Sequence, residues 1–234
     1  MSTIAGKSGV AGGADGAAAS ATFNSPRAIA AGKDGSLWVA QATGLRRILN
    51  GTVSTVDPAI SATNVAVDPD GNAIVVSNGL VQRVTPLGAK TVLATAAQVA
   101  TLVGQPTVNF APQAVAVNAA GDVFVSDTGT VAVYRITKAG VLSVFAGTPL
   151  NEKGDVDGPV GTGTLGFYEV EYMTIDEAGN LYLSGQGSVR KISPAGVLST
   201  PDYGWGKTVI GAVAYSGGKL YGMTRYALLQ SYLP

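Results

Sequence analysis

Hydrophobic residues along this chain come in short alternating runs broken by glycine, the period-two pattern of half-buried β-strands rather than the 3.6-residue period of helices. One phrase is written five times: AIAAGKDGSLWVAQ, NVAVDPDGNAIVVS, AVAVNAAGDVFVSD, YMTIDEAGNLYLSG and AVAYSGGKLYGMTR. Each copy reads as two strands around a glycine turn, and the turn glycines are Gly35, Gly71, Gly121, Gly179 and Gly218. A third strand follows in phase as LRRIL, VQRVT, VYRIT and VRKIS. A turn built on Gly, Asn or Pro then leads to a fourth apolar strand, VSTV, KTVLA, LSVFAG or LST.

One such unit cannot bury its own apolar face, so the copies must stack. The pattern predicts an all-β fold, a five-bladed β-propeller of four-stranded antiparallel blades, with residues 1–234 as a single domain. The blades are expected over 23–58, 61–96, 110–147, 167–204 and 208–234 together with 1–6. The last assignment comes from the ends of the chain. The fifth copy has three strands before Pro234, and MSTIAG at Met1 to Gly6 matches LSVFAG in residue type and phase. The expectation is a ring closed by the N-terminal strand completing the last blade, which removes two unpaired edges at once.

The stretch GDVFVSDTGTVAVYRITKAGVLSVFAG resembles the NHL repeat, with its aromatic strand, Asp-Thr-Gly, basic-apolar strand and closing glycine. The segment STIAGKSGVAGGADGAAASATFNSPRAIA resembles the connection between bacterial NHL blades. The resemblance covers nearly the whole chain, weakest in the fifth unit, and departs from the family at two points. The family is usually six-bladed, and Asp-Thr-Gly occurs here once, at Asp127, where the other copies hold Gln41, Asn78, Gly185 and Arg225.

Composition narrows the chemistry. Charged residues make up 13% of the chain and hydrophobic ones 46%, and the 15 basic and 15 acidic side chains leave no net charge to gather nucleic acid or an anionic membrane. There is no cysteine and no histidine, so thiolate chemistry and the commonest general base and metal ligand are absent. The lyases among propellers of this kind rely on histidine, and that role fails here residue by residue. No apolar run is long enough to span a bilayer, and no membrane insertion is expected.

Function is expected where the repeat is irregular. The turns between first and second strands are short, whereas the connections between blades are unequal, with 7–25, 97–110 and 148–168 long and 59–63 short. The rim bearing these connections is the candidate surface. Gln41, Asn78, Asp127, Gln186 and Arg225 point there from short turns, and Asp15, Asn24, Asn109, Asp155, Asp157 and Glu169 from the connections. Such polar groups also cap turns, which is the structural reading of each. Phe23, Phe110 and Phe167 precede blades and read as packing residues. Eight of the nine tyrosines lie at or beyond Tyr168. Of these Tyr168, Tyr203 and Tyr226, with Trp205, fall near expected loops, where aromatic faces suit sugar or peptide recognition. Arg47, Arg83, Arg135 and Lys191 recur in register and read as structural, with packed stems.

The expected function is a noncatalytic interaction module without cofactor, binding a protein, peptide or glycan on that rim, as a monomer or a domain of a larger protein. The alternative is a calcium-dependent hydrolase of the lactonase type, with oxygen ligands drawn from Asp127, Asp157 and Glu169. The DVDG at 155–158 resembles the start of a calcium loop but lacks the later glutamate. Richness in Ala, Gly and Thr with few charges resembles bacterial NHL arrays of secreted or envelope proteins, which implies an extracytoplasmic location.

Overall fold

The computed structural model describes every residue except 1, 78, 152–153, 166–171, 185–188, 206–209 and 234. Its strands form five antiparallel sheets, the blades of a five-bladed β-propeller. The first sheet holds β1 (Gly16–Ala17), β2 (Pro26–Ala31), β3 (Leu37–Gln41), β4 (Leu45–Leu49) and β5 (Thr52–Asp57) in the order β1-β5-β4-β3-β2. The second runs β6 (Asn64–Val67), β7 (Ala73–Ser77), β8 (Leu80–Val84) and β9 (Lys90–Thr95). After the helix α1 (Ala96–Leu102) comes the third sheet, β10 (Pro112–Val117), β11 (Val123–Asp127), β12 (Ala132–Ile136) and β13 (Leu142–Ala146). The fourth runs β14 (Tyr172–Ile175), β15 (Leu181–Ser184), β16 (Val189–Ile192) and β17 (Leu198–Ser199). The fifth is β18 (Ala212–Ser216), β19 (Lys219–Met223) and β20 (Leu228–Tyr232).

The chain divides into two compact units. Residues 1–77 and 81–93 form one, with most of the first two sheets, and residues 78–80 and 94–234 form the other. The period-two alternation explains each core, because strand neighbours point to opposite faces and pairs share one. In the first unit Ala40 pairs with Leu45 and, beside Trp38, meets Val65, Ala73, Val75 and Val84 of the second sheet. In the second unit Phe124, Val133 and Phe145 meet Leu181, Leu183 and Ile192, while Tyr182 and Val189 meet Val213 and Leu220. Phe124 and Phe145 stand edge to face with centroids 4.8 Å apart. Burying each large side chain contributes about 1.5–3 kcal/mol, so these sheet-on-sheet cores dominate the stability.

Three features differ from the sequence reading. The last sheet has three strands, and residues 2–6, expected as its fourth, form no strand. Instead the Gly6 amide donates to the Ala18 carbonyl at 2.9 Å, and Ala5 packs against the Ala21, Val39, Ile48 and Val53 cluster of the first sheet. The connection 7–25 supplies β1, which pairs Gly16 with Val53 and widens the first sheet to five strands. The connection 97–110 opens with α1, whose Thr95 and Gln98 form a capping box: the Gln98 amide donates to Thr95 Oγ1 at 3.3 Å and the Thr95 amide to Gln98 Oε1 at 3.0 Å.

Candidate functional site

Two of the polar residues at the ends of the second strands, Asp127 and Gln41, act as latches. Asp127 ends β11 almost fully buried. Its carboxylate accepts the Ala111 amide at 2.5 Å and the Thr130 amide at 2.9 Å, and it also accepts the Thr130 hydroxyl. The Thr130 hydroxyl in turn shares a hydrogen with the Tyr134 hydroxyl at 2.6 Å. Gly129 lies so close to the Asn109 carbonyl that any Cβ would overlap it, which is why this turn takes Asp-Thr-Gly. Burial pushes the Asp127 carboxyl above its ordinary range in spite of these bonds, and it pushes the Tyr134 hydroxyl up to about 12. In the first sheet Gln41 holds the corresponding place: its Oε1 accepts the Asn24 amide at 3.4 Å and its amide nitrogen donates to the Thr43 carbonyl at 2.7 Å. Both residues tie an incoming connection to a strand end.

The long connections are held by a repeated clamp. Asp15 receives the buried Arg46 guanidinium at 2.7 Å, the Thr55 amide at 3.0 Å and the Thr55 hydroxyl at 2.9 Å. Asp157 does the same with the fully buried Arg190 at 3.1 Å and with Thr200, whose amide and hydroxyl donate at 3.1 and 2.9 Å. Arg190 has Asp155 as a second acidic partner, and burial pulls the guanidinium down to about 10, still charged at neutral pH. Burial raises Asp15, but the bonds from Thr55 and Arg46 outweigh it and hold the carboxyl below its usual range. The DVDG sequence forms an arginine clamp, with Gly158 bridged to Leu198. Arg46 and Arg190 escaped the sequence reading because each stands one place before the recurring basic residue, on the opposite face of its strand.

Those recurring residues pair with carboxylates at or beside the first turns. Arg47 meets Asp34 at 2.6 Å, Arg83 meets Asp68 at 3.0 Å and Arg135 meets Asp122 at 2.5 Å. Lys191 instead lies over the Tyr182 ring at 6.0 Å. The Ser36 hydroxyl and amide, then Arg47, hold the Asp34 carboxyl at about 2.

Two of the aromatic candidates, Tyr203 and Trp205, are partly buried and pack against the sheets. Tyr203 stacks edgewise on Tyr182 with centroids 6.3 Å apart, and Trp205 follows at 5.6 Å. Both join the fourth-to-fifth sheet core, and the indole lies on Gly222, where a Cβ would come within 2.7 Å of it. The corresponding positions of the other copies are Val39, Val75, Val125 and Leu183, so the exchange of a branched residue for Gly222 makes the room for Trp205. Arg225 and Tyr226 differ. They sit on the β19–β20 turn, where Thr224 Oγ1 accepts the Tyr226 and Ala227 amides at 3.1 and 2.9 Å. Tyr226 is 88% exposed, with the Arg225 guanidinium 5.5 Å over its ring.

Asn78, Tyr168, Glu169, Gly185 and Gln186 lie outside the described residues, as does Phe167. Among the described residues no three acidic side chains gather as a metal site would require, and Asp127 and Asp157 are each engaged in their own bonds. No helix there is long and apolar enough to cross a membrane.

No protein-family model matches the chain, and no curated protein matches it in sequence. Solved structures do match in fold. The chain is similar to a nidogen–laminin complex chain at a TM-score of 0.66 and 13% identity, covering 89% of this chain and 76% of that one. It is similar to an auxiliary nutrient binding protein from Bacteroides ovatus at 0.65 and 15%, covering 84% and 56%. A virginiamycin B lyase from Staphylococcus aureus, solved with quinupristin as a catalytically inactive histidine-to-alanine variant, matches at 0.62 and 15%, covering 96% and 72%. At these identities the likeness establishes a β-propeller fold, shared by binding proteins and by an enzyme.

Proposed function

We propose that this chain is a noncatalytic interaction module that binds a protein, peptide or glycan on the loop-bearing ends of its blades, with Arg225 and Tyr226 as contact residues. The observation that carries this reading is the contrast at the strand ends. Gln41, Asp127 and Asp157 use their polar atoms to tie the chain to itself, whereas Tyr226 offers its ring to solvent on a turn fixed by Thr224 and backed by a guanidinium. An exposed tyrosine beside an arginine is the residue pair that interface hot spots favour, and a fixed turn lowers the entropy of ordering it.

The nutrient binding proteins and nidogen among the structural neighbours support a binding role. The lyase supports an enzymatic one less well, since its inactive form replaces a histidine and this chain has none. The NHL-like repeats and the Ala-, Gly- and Thr-rich, charge-poor composition support an extracytoplasmic location.

The test is an array of glycans and peptides probed with the whole chain, beside a lactone hydrolysis assay in calcium. A reproducible ligand with no turnover is the expected result. Calcium-dependent turnover would overturn the reading in favour of the lactonase-type hydrolase.

A further inference from the structure

In the first three sheets the residue just before the third strand has a positive φ: Gly44 at +97° before β4, Gly79 at +73° before β8 and Val131 at +57° before β12. Glycine takes this left-handed region freely, but a β-branched side chain there crowds its own backbone. Val131 is nonetheless only 4% exposed, in a cluster with Val133, Phe145 and Leu165. Packing holds the residue where its backbone is strained, so loosening that packing favours a return to the extended region.

Val131 stands between two connections. On the incoming side Asp127 holds the Ala111 amide at 2.5 Å and the Thr130 amide at 2.9 Å, while the Thr128 amide and hydroxyl both donate to the Ala111 carbonyl at 3.2 Å. On the outgoing side the Leu150 amide donates to the Thr130 carbonyl at 2.7 Å, and Leu165 joins the Val131 cluster. The outgoing connection is also tied back to its own start, with the Gly161 amide on the Gly147 carbonyl at 3.1 Å and the Thr148 hydroxyl on the Gly163 carbonyl at 2.9 Å. Thr130 therefore gives its amide to the anchor of one connection and its carbonyl to the other. The φ of Val131 is the rotation that aims that carbonyl, because the peptide plane joining the two residues is rigid.

We propose that the turn 128–131 is a two-state catch that couples the connection entering the third sheet, through Ala111, to the one leaving it, through Leu150 and Leu165. Lifting the outgoing connection withdraws Leu165 and the Leu150 amide. Val131 then returns to the extended region and swings Thr130 away from Asp127, which loosens the hold on Ala111. Releasing Ala111 and Asp127 works in reverse. Coupling of this kind needs one element with two discrete arrangements that both sides bias, and Val131 is that element. The effect is reciprocal, so whatever orders one connection protects the other by the same free energy.

Native-state amide hydrogen exchange of the whole chain tests it, read at Ala111, at Leu150 and at Gly211, whose amide donates to the Met223 carbonyl at 2.8 Å in the fifth sheet and reports global opening. Asp127→Asn alters the incoming side and leaves both partners of the Leu150 bond in place. Leu165→Ala alters the outgoing side and leaves Asp127 and Ala111 in place. Each variant is expected to speed exchange at Ala111 and at Leu150 alike, by about fivefold or more, with Gly211 unchanged. Thr130→Val and Leu165→Val are the milder pair if circular dichroism shows that either first variant does not fold, and the same outcome is expected of them. Acceleration confined to the altered side overturns the proposal, and so does an equal acceleration of all three amides, Gly211 included.

Discussion

The carboxylate of Asp15 lies 2.7 Å from the guanidinium of Arg46, a buried cation 31 residues further along the chain. Arg46 also donates to two backbone carbonyls, Thr22 at 3.1 Å and Ala14 at 3.0 Å, and its guanidinium lies over the Phe23 ring, 5.2 Å from the centroid. Removing one member of such a pair leaves a charge in a poorly solvated site, which costs more than the pair itself contributes. Asp15→Ala is expected to destabilise the chain by about 2 kcal/mol, the outer side of the carboxylate being open to water, and to open the 7–25 connection to proteases. Asp157→Ala is expected to cost roughly half as much, because Asp155 still faces Arg190. Chemical denaturation of both variants checks the order, and equal losses would contradict it.

Gly222 and Trp205 form a second coupled pair. Gly222→Val drives a branched side chain into the indole, and overpacking of this kind costs about 1–3 kcal/mol. Trp205→Ala removes a partly buried aromatic and costs about 2 kcal/mol. In the double variant, valine fills part of the space that the indole vacates, so the losses are expected to be less than additive. Simple addition would show that the two side chains do not compete for that space.

Acidic groups divide by sign. The Asp15, Asp57 and Asp122 carboxyls are held below their ordinary range by hydrogen bonds and a cationic partner each, so their contribution to stability is present above about pH 4 and lost as pH falls through the folded midpoints. For Asp57 the leading cause is the Lys90 hydrogen bond; for Asp15 and Asp122 burial opposes the shift and is outweighed. Asp127 runs the other way. Burial raises it, so its contribution is complete below about pH 4 and lost as pH rises through its higher folded midpoint. Carboxyl NMR titration is expected to place Asp127 above the ordinary value and the other three below it, and a low midpoint for Asp127 would contradict the account of the latch.

The repeat made the sheets legible, because period-two alternation around Gly35, Gly71, Gly121, Gly179 and Gly218 is a local signal. Long-range choices were not. Arg46 and Arg47 are adjacent in LRRIL, and only the packing of the 7–25 connection decides which of them is buried against Asp15. Trp205 reads as a loop aromatic until Gly222, distant in sequence, is seen to make its pocket. The N-terminal residues have the residue types of a fourth strand, yet the Gly6 amide bonds to Ala18 and Ala5 packs on the first sheet, an outcome no strand pattern distinguishes. The helix α1 did leave a local mark, Thr95 followed by Gln98, before a run with helical spacing.

Among the candidate residues the sharpest division is between those that hold the fold and those free to meet a partner. Tyr226 tests it most directly. With a ligand identified on the array, titration calorimetry of the wild type and Tyr226→Ala, beside their thermal melts, is the decisive measurement. An affinity loss of about tenfold or more with an unchanged melting temperature is expected, since an exposed hot-spot tyrosine contributes to binding and little to folding. Unchanged affinity would contradict it, and so would an affinity loss that came only with a lowered melting temperature.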